Sequence, residues 1–262
     1  MRMDVHARYR ADYIRRCVEV LERTGADNVG GPAIAKGDGY VGQAIAAAFQ
    51  SAFSVGGARG HQPDYEGPVD TVWLGCWRRE VLREIGLFDD TLVRNQDDEL
   101  NLRLVRQGGK IWQSPEIVFW YQPRSSLSAL FRQYFQYGFW KVAVIQKHRL
   151  PASWRHLVPG AFVLANVVFL VAAVVRVLAG PGLSSWLVVL GLGMQTAYTL
   201  ASFLASCMVA RRAGWLLFPL LPLVFGIYHM AWGLGFLVGV VYFSAKPRGI
   251  LPRQSVFTEI TR

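Results

Sequence analysis

The sequence predicts an α/β layer followed by three apolar helices that cross a membrane. Three observations predict it. Short apolar runs alternate with helix-period segments over residues 1–150. Acidic residues are confined almost wholly to the front, with none between Glu116 and Glu259. Within that gap Val158–Val175, Trp186–Val209 and Trp215–Phe243 carry no Asp, Glu, Lys or Arg, and about 20 apolar residues span a bilayer. The first run reaches Ala179 if Arg176 snorkels.

In chain order, MRMDV reads as a strand-like start. ADYIRRCVEVLERTG is a helix with Tyr13, Cys17, Val20 and Leu21 on one face and Gly25 at its stop. DNVGGP is a strand running into a turn, and VGQAIAAAFQSAF a helix of small residues. Residues 54–68 form a Gly/Pro-rich loop, DTVWLGCW a strand, and RREVLREIG a short helix closed by Gly86. A helix then starts within NQDDELNLRLVRQGG, with Asn95 as its cap. IVFWYQ is a strand, and LSALFRQYFQYGFWKVAVIQK an amphipathic, aromatic-rich helix. This divides the chain into an incomplete α/β unit (1–125), a basic interface helix and linker (126–157), a membrane region of three helices (158–243) and a tail (244–262). No internal repeat is evident.

Lys and Arg number 28 against 18 Asp and Glu, a net charge of +10. Arg132, Lys141, Lys147, Arg149 and Arg155 precede the first span with no acid among them. Such a segment suits an anionic leaflet. No nucleic-acid module pattern is visible, so the expected partner of this charge is membrane lipid and not nucleic acid. Cys17, Cys76 and Cys207 fit no metal or disulfide spacing, which places the front half in a reducing, cytoplasmic setting at the cell membrane. The start MRMDVHARYR is too polar for a signal peptide. From a cytoplasmic front half, GPGLSS falls outside and ARRAGW, with Arg211 and Arg212, inside. A third crossing sends the basic tail outside, against the charge rule, unless Pro219 and Pro222 break the last segment. His229 lies inside that segment, as a functional group or as a neutral imidazole bonded to a neighbouring helix. Gly226, Gly233, Gly235 and Gly239 are expected to let helices approach closely, and the aromatic stripe of residues 131–140 to anchor at the interface.

Asp97, Asp98 and Glu99 crowd the start of one helix. The helix dipole favours carboxylates there by about 0.3–1 kcal/mol each, and Glu99 can pair with Arg103 four residues on. An ordinary charged helix start explains that much. A carboxylate fixed rigidly at a cleft rim is also what a general base needs. Asp4 and His6, at i and i+2 of a strand, would face one side. Both can ligate Mn²⁺, whereas Mg²⁺ prefers oxygen. Equally, they can be surface residues.

NQDDELNLRLVRQGGKI resembles the Glu-Asp segment of family 2 glycosyltransferases, and Ile85–Asp90 resembles the stretch that precedes it. Gln96 stands for the usual Glu, and Asp97 matches the Asp that acts as catalytic base. DVHARYRADYI is similar to the Asp-x-Asp metal strand; Asp4 matches its first Asp and His6 replaces the last, as in the succinoglycan-type membrane branch. Gly75, Cys76 and Arg78 match the acceptor-side strand. Gln136 and Trp140 keep the ends of a Q-x-x-R-W-like motif on the interface helix; Phe139 replaces its Arg, so that motif's phosphate contact is not carried over. The matches span residues 1–150.

The resemblance implies an incomplete GT-A-like mixed sheet and an inverting transfer of sugar from a nucleotide-sugar donor to a lipid-linked or polysaccharide acceptor. Asp97 would be the base, Gln96, Asp98, Glu99 and Arg103 its support, and a divalent Mg or Mn ion the cofactor at Asp4 and His6. Loop 54–68 would help select the acceptor. The nucleoside-gripping strands of the family are not matched here, so the chain alone is expected to bind nucleotide poorly and turn over little. Two rival readings are a non-catalytic membrane assembly or transport-associated protein and a metal-dependent hydrolase, for which His and acids are few.

Overall fold

The computed structural model describes residues 1–5, 7–57, 59–180 and 183–245; His6 and the tail from residue 246 lie outside the described residues. Strand β1 is Ala7–Tyr9, followed by helix α1 (Tyr13–Thr24), β2 (Asn28–Gly30), β3 (Ala33–Ala35), α2 (Gly39–Phe49) and α3 (Ala52–Val55). Then come β4 (Gly67–Pro68), β5 (Cys76–Trp77), α4 (Arg79–Glu84), α5 (Gln96–Arg106), β6 (Ile111–Gln113), β7 (Phe119–Tyr121) and α6 (Leu127–His148). The chain continues through α7 (Val158–Ala179), α8 (Leu183–Ala213) and α9 (Leu221–Ser244). The α/β front and three apolar helices are as the sequence predicts.

The strands form two small mixed sheets, in the orders β1-β7-β3 and β4-β6-β2-β5. β2 runs parallel to β6, and β3 parallel to β7. The same two chain segments therefore pass side by side from one sheet into the other. They touch at Gly31, where an added Cβ would sit 1.7 Å from the Ile117 carbonyl oxygen. Only glycine allows that approach. Asn28 and Asn101, both fully buried, bond at 2.8 Å, and Asn101 also reaches Thr71 Oγ1 and the Val72 carbonyl.

Four expectations change. MRMDV is not a strand; β1 starts at Ala7, and Asp4 lies in the turn before it, its carbonyl accepting from Ala7 N. Asp4 thus has no strand under it, and the shared-face expectation for His6 lies outside the described residues. DTVWLGCW yields only Cys76–Trp77 as strand, because Leu74 takes a left-handed φ of 58° that breaks the extended run. The small-residue helix divides at Ser51, which caps α3 by accepting from Phe53 N. The last apolar segment is interrupted near its start: Trp215–Leu217 is a separate 3₁₀ turn, residues 218–220 turn at Pro219, and from Leu221 one unbroken helix runs on, with Pro222 in its first turn, where a proline is tolerated.

α7, α8 and α9 are each long and apolar enough to cross a membrane. α7 and α8 pack antiparallel, Phe162 on Tyr198 and Phe169 against Gly191. Exposed Trp154 and Trp215 stand at one end of this pair and Trp186 at the other, where indoles settle in a bilayer. α9 is tied to the front half. Its Leu221, Val224, Phe225 and Tyr228 share one apolar core with Tyr13, Val29, Ile45 and Phe119. Its far end, Tyr242 and Phe243, packs on Phe139 and Trp140 of α6.

Candidate functional site

α5 starts where Asn95 turns the chain with φ 61°, a region asparagine tolerates better than most residues. Asn95 does not cap the helix with its side chain. Its Nδ2 donates to the Tyr137 carbonyl at 3.0 Å instead, fixing the start of α5 against α6. Gln96 Nε2 donates to the Leu92 carbonyl at 2.7 Å. Leu100 and Leu104 anchor the opposite face of α5 among Val72, Trp77, Ile85 and Ile111. The acidic turn is thereby held from both sides.

The three carboxylates of that turn have different surroundings. Glu99 is fully buried and meets Arg103 at 2.9 Å, Lys147 at 2.8 Å and His148 at 2.9 Å. Arg103 also donates to the carbonyls of Ile85, Gly86 and Leu87, clamping that loop to α5. Asp98 pairs with Lys141, which is 3% exposed. Burial pushes both carboxyls up, but Lys141 at Asp98, and Arg103, Lys147 and His148 at Glu99, outweigh it and hold both below their ordinary values. Among the described residues Asp97 makes no such pair. Burial raises its value, the Arg2 charge offsets only part, and Asp98 adds to the rise.

These shifts predict acid sensitivity. A carboxyl whose folded value lies below its unfolded one stabilises the fold above the unfolded value and loses that stabilisation as pH falls through the folded one. Melts of the detergent-purified chain are expected to drop below about pH 4, near the unfolded carboxylate values. The drop should be shallower in Glu99→Gln, whose starting stability is lower. A Glu99→Gln melt that is unchanged at neutral pH would contradict the ion-pair account.

Asp97 opens into a cavity of about 520 Å³. Arg2, Asp4, Arg94, Gln96 and Asp98 line the same wall region, and Gly31, Ala33, Trp73 and Tyr121 continue it along the sheets. The apolar helices also line it: Tyr228, His229 and Trp232 of α9, Val158 and Pro159 of α7, and Trp154–His156 before it. Ser54, Val55, Gly56 and Gly60 of the Gly/Pro-rich loop complete the rim. Arg155 ties the turn before α7 to the front half, packing beside Gly56 and pairing with Asp70. His229 is bonded at both ring nitrogens, to the Phe53 carbonyl at 2.8 Å and Tyr198 Oη at 2.9 Å. The carbonyl can only accept, so Nε2 carries the hydrogen and Nδ1 faces the phenol. This is the neutral, neighbour-bonded alternative.

Asp4, Gln96, Asp97 and Asp98 therefore share one cavity. Glu99 and Arg103 stand behind it. Gly75, Cys76 and Arg78 are not among the lining residues. Cys76 is buried against Cys17, Arg78 donates to the Leu21 carbonyl at 2.9 Å, and Gly75 abuts the Asn28 amide. Gln136 and Trp140 are buried behind the lining; Gln136 accepts from Arg94 Nε at 3.0 Å. The aromatic stripe mostly faces inward, with Phe139 and Trp140 buried and Tyr134 and Tyr137 lining the cavity; Phe131 is its exposed member. Arg94, Gln133, Tyr137 and Lys141 were not picked out as site residues from the sequence. Their i, i+4 spacing on α6 (133, 137, 141) is a polar stripe on an apolar helix, and that was the available signal.

Among the described residues no three His, Cys, Asp or Glu side chains converge as a ready-made metal cage. Asp4 alone fits the kind of site in which Mg²⁺ takes one or two carboxylates and completes its shell with substrate phosphates and water. His6 lies outside the described residues.

No family model matches the chain. It is 29% identical over 237 residues to the succinoglycan biosynthesis protein ExoA of Rhizobium meliloti, an alignment covering 90% of this chain and 68% of that protein. Over 100 residues it is 31% identical to a Methanococcus voltae enzyme, dolichyl N-acetyl-alpha-D-glucosaminyl phosphate 3-beta-D-2,3-diacetamido-2,3-dideoxy-beta-D-glucuronosyltransferase. That match covers 38% of this chain and 31% of the enzyme. With three helices apolar enough to cross a membrane beside the front half, these relatives point to a glycosyltransferase family 2-like membrane protein.

Proposed function

We propose that the chain is a membrane-anchored, inverting glycosyltransferase that moves a sugar from a nucleotide-sugar donor to a lipid-linked or polysaccharide acceptor. One observation carries this reading. Among the described residues Asp97 is the carboxylate of its turn without a cationic partner at salt-bridge distance, and it lines a cavity that α9 and the start of α7 also line. An amphiphilic acceptor can keep its apolar part against those helices and bring its hydroxyl to Asp97. The raised Asp97 value suits a general base, which works best with a pKa moved toward the operating pH. As the acceptor oxygen bonds to the anomeric carbon, its proton passes to Asp97 and the bond to the nucleoside diphosphate breaks from the opposite face. A single displacement of this kind inverts the centre.

Asp4 is the side chain that would hold a divalent ion, which when bound offsets charge on the departing diphosphate. Glu99 through Lys147 and His148, and Asp98 through Lys141, keep α5 in register with α6, while Arg103 clamps the preceding loop, so that Asp97 does not wander. On this reading the front half faces the cytoplasm at the cell membrane, which its free cysteines and the basic segment before the first apolar helix support.

The test is direct. The full chain, in native membranes or detergent, is incubated with a panel of labelled nucleotide sugars and a membrane lipid extract. Label entering the lipid or polymer fraction supports the reading. Label remaining on nucleotide or released only as free sugar, for every donor, supports a non-catalytic or hydrolytic protein instead.

A further inference from the structure

α9 is long enough to cross a bilayer, yet both of its ends meet the same body. Leu221, Val224, Phe225 and Tyr228 of its first two turns share the core of Tyr13, Val29, Ile45 and Phe119. Tyr228 Oη donates to the Ile45 carbonyl at 3.3 Å. At the other end Tyr242 and Phe243 pack with Phe139 and Trp140 beside Leu92 and Leu102. That place adjoins the charged end of α6, where Lys141 pairs with Asp98, Lys147 with Asp89 and Glu99, and His148 with Glu99. Charges so crowded belong to the water side of a bilayer. The 24 residues of α9 extend about 36 Å, against about 30 Å of hydrocarbon. A crossing helix would carry its last turn to the far side. The last turn of α9 stands against α5 instead.

The path between the ends agrees. α9 runs parallel to α6, from Tyr228 on Tyr134 to Phe243 on Trp140, with Gly235 and Gly239 against the carbonyls of Phe135 and Phe139. Its close approaches to α7 fall in the first two turns of that helix, Gly233 on Pro159 and Val163 and Gly160 on Phe236. Beyond them α7 turns to α8, and its Leu164, Val167, Leu170, Val171, Val174 and Leu178 are exposed. The 22 residues of α7 extend about 33 Å, enough for one crossing. On α9 itself Leu223, Met230, Leu234, Val238 and Val241 recur at helical spacing and are half-buried or exposed. This apolar stripe faces away from Tyr228, Gly235 and Gly239, which are buried against the front half and α6.

We infer that the chain crosses the bilayer twice, through the α7–α8 hairpin, and that α9 lies along the leaflet under the front half with its apolar stripe against lipid. Helices seated this way bury one apolar face at the boundary of headgroups and acyl chains. The charge pattern supports the same count. A third crossing would send Lys246, Arg248 and Arg253 to the side opposite Arg211 and Arg212. Two crossings put all five with the basic segment before α7, as the positive-inside rule asks. The placement does not depend on the transferase reading.

The test is sidedness. Glu22→Cys, Ala179→Cys, Arg212→Cys and Ser244→Cys, all at exposed positions, are made singly in the full chain carrying Cys207→Ser; Cys17 and Cys76 are buried. Sealed membrane vesicles of each orientation are labelled with a membrane-impermeant maleimide. Arg212→Cys, Ser244→Cys and Glu22→Cys are expected to label from one side and Ala179→Cys from the other. A protease-cleavable epitope after Arg262 repeats the reading without a substitution, and should be cut from the Arg212 side. Labelling of Ser244→Cys from the Ala179 side, or from neither side, overturns the placement, as does cutting of the epitope from the Ala179 side only. Labelling of Glu22→Cys, Arg212→Cys and Ser244→Cys together from outside the cell supports the placement and removes the cytoplasmic transferase reading, so the two can fail separately.

Discussion

Replacing Asp97 with asparagine is expected to lower sugar transfer by about 10²–10⁴-fold, the usual contribution of a positioned base, while raising the melting temperature. The two effects have one cause. Burial lifts the Asp97 carboxyl above its ordinary value, and the Arg2 charge offsets only part of that rise. For an acid with a raised folded pKa, the ionised form is disfavoured by the fold. The penalty is absent below the unfolded value, grows as pH rises, and is complete above the folded value. At neutral pH the wild type carries it and Asp97→Asn does not. The stabilisation should therefore shrink as the melts are taken toward pH 4. The acid limb of kcat/KM should also lie above the ordinary aspartate value of about 3.9. The adjacent substitution goes the other way. Asp98→Asn leaves Lys141, 3% exposed, without its partner, and breaking a buried pair costs about 3–5 kcal/mol. Opposite melting shifts at consecutive acids would separate a carboxylate kept for chemistry from one kept for structure. Transfer by Asp97→Asn within a few-fold of wild type would remove the base from position 97.

What the sequence shows directly is what local periodicity encodes. Tyr13, Cys17, Val20 and Leu21 form the buried face of α1, and Leu100 and Leu104 that of α5. The apolar helices are readable because length and absence of charge are local properties. The three-residue strands β3 (Ala-Ile-Ala) and β6 (Ile-Trp-Gln) went unread, since a run so short has no period to detect. Their strand character comes from their neighbours. Asn95 was misread for a related reason. Its type suits an N-cap, but Tyr137, 42 residues away, supplies a better acceptor for its amide. The acidic turn and Asp4 could be placed on one cavity from their order along a resembling sequence. The part that α9 contributes could not. Tyr228, His229 and Trp232 reach the cavity that Asp97 lines because α9 packs along α6, a pairing across more than 80 residues that no spacing announces.

That pairing is set by glycine, and Gly138→Ala should dismantle it. A Cβ on Gly138 would lie 2.1 Å from the Trp232 carbonyl oxygen, and one on Gly235 would lie 2.0 Å from the Phe135 carbonyl oxygen. In both cases the obstacle is backbone, which cannot swing aside as a side chain can. Overpacking a core costs about 1–3 kcal/mol when side chains can adjust; here two helix axes must part, so either substitution is expected to exceed that range. The loss should reach the site as well, because both helices contribute lining residues to the cavity, Gln133, Tyr137 and Lys141 on α6 and Tyr228, His229 and Trp232 on α9. Gly226→Ala is the internal control. It lies on the same helix with nothing within 4 Å of its added Cβ, and alanine is favoured over glycine in a helix by about 1 kcal/mol. Gly226→Ala should therefore express and transfer sugar like wild type, while Gly138→Ala and Gly235→Ala yield little folded protein and no transfer. If all three behave alike, α6 and α9 do not meet backbone to backbone, and this helix pair does not shape the cavity that Asp97 lines.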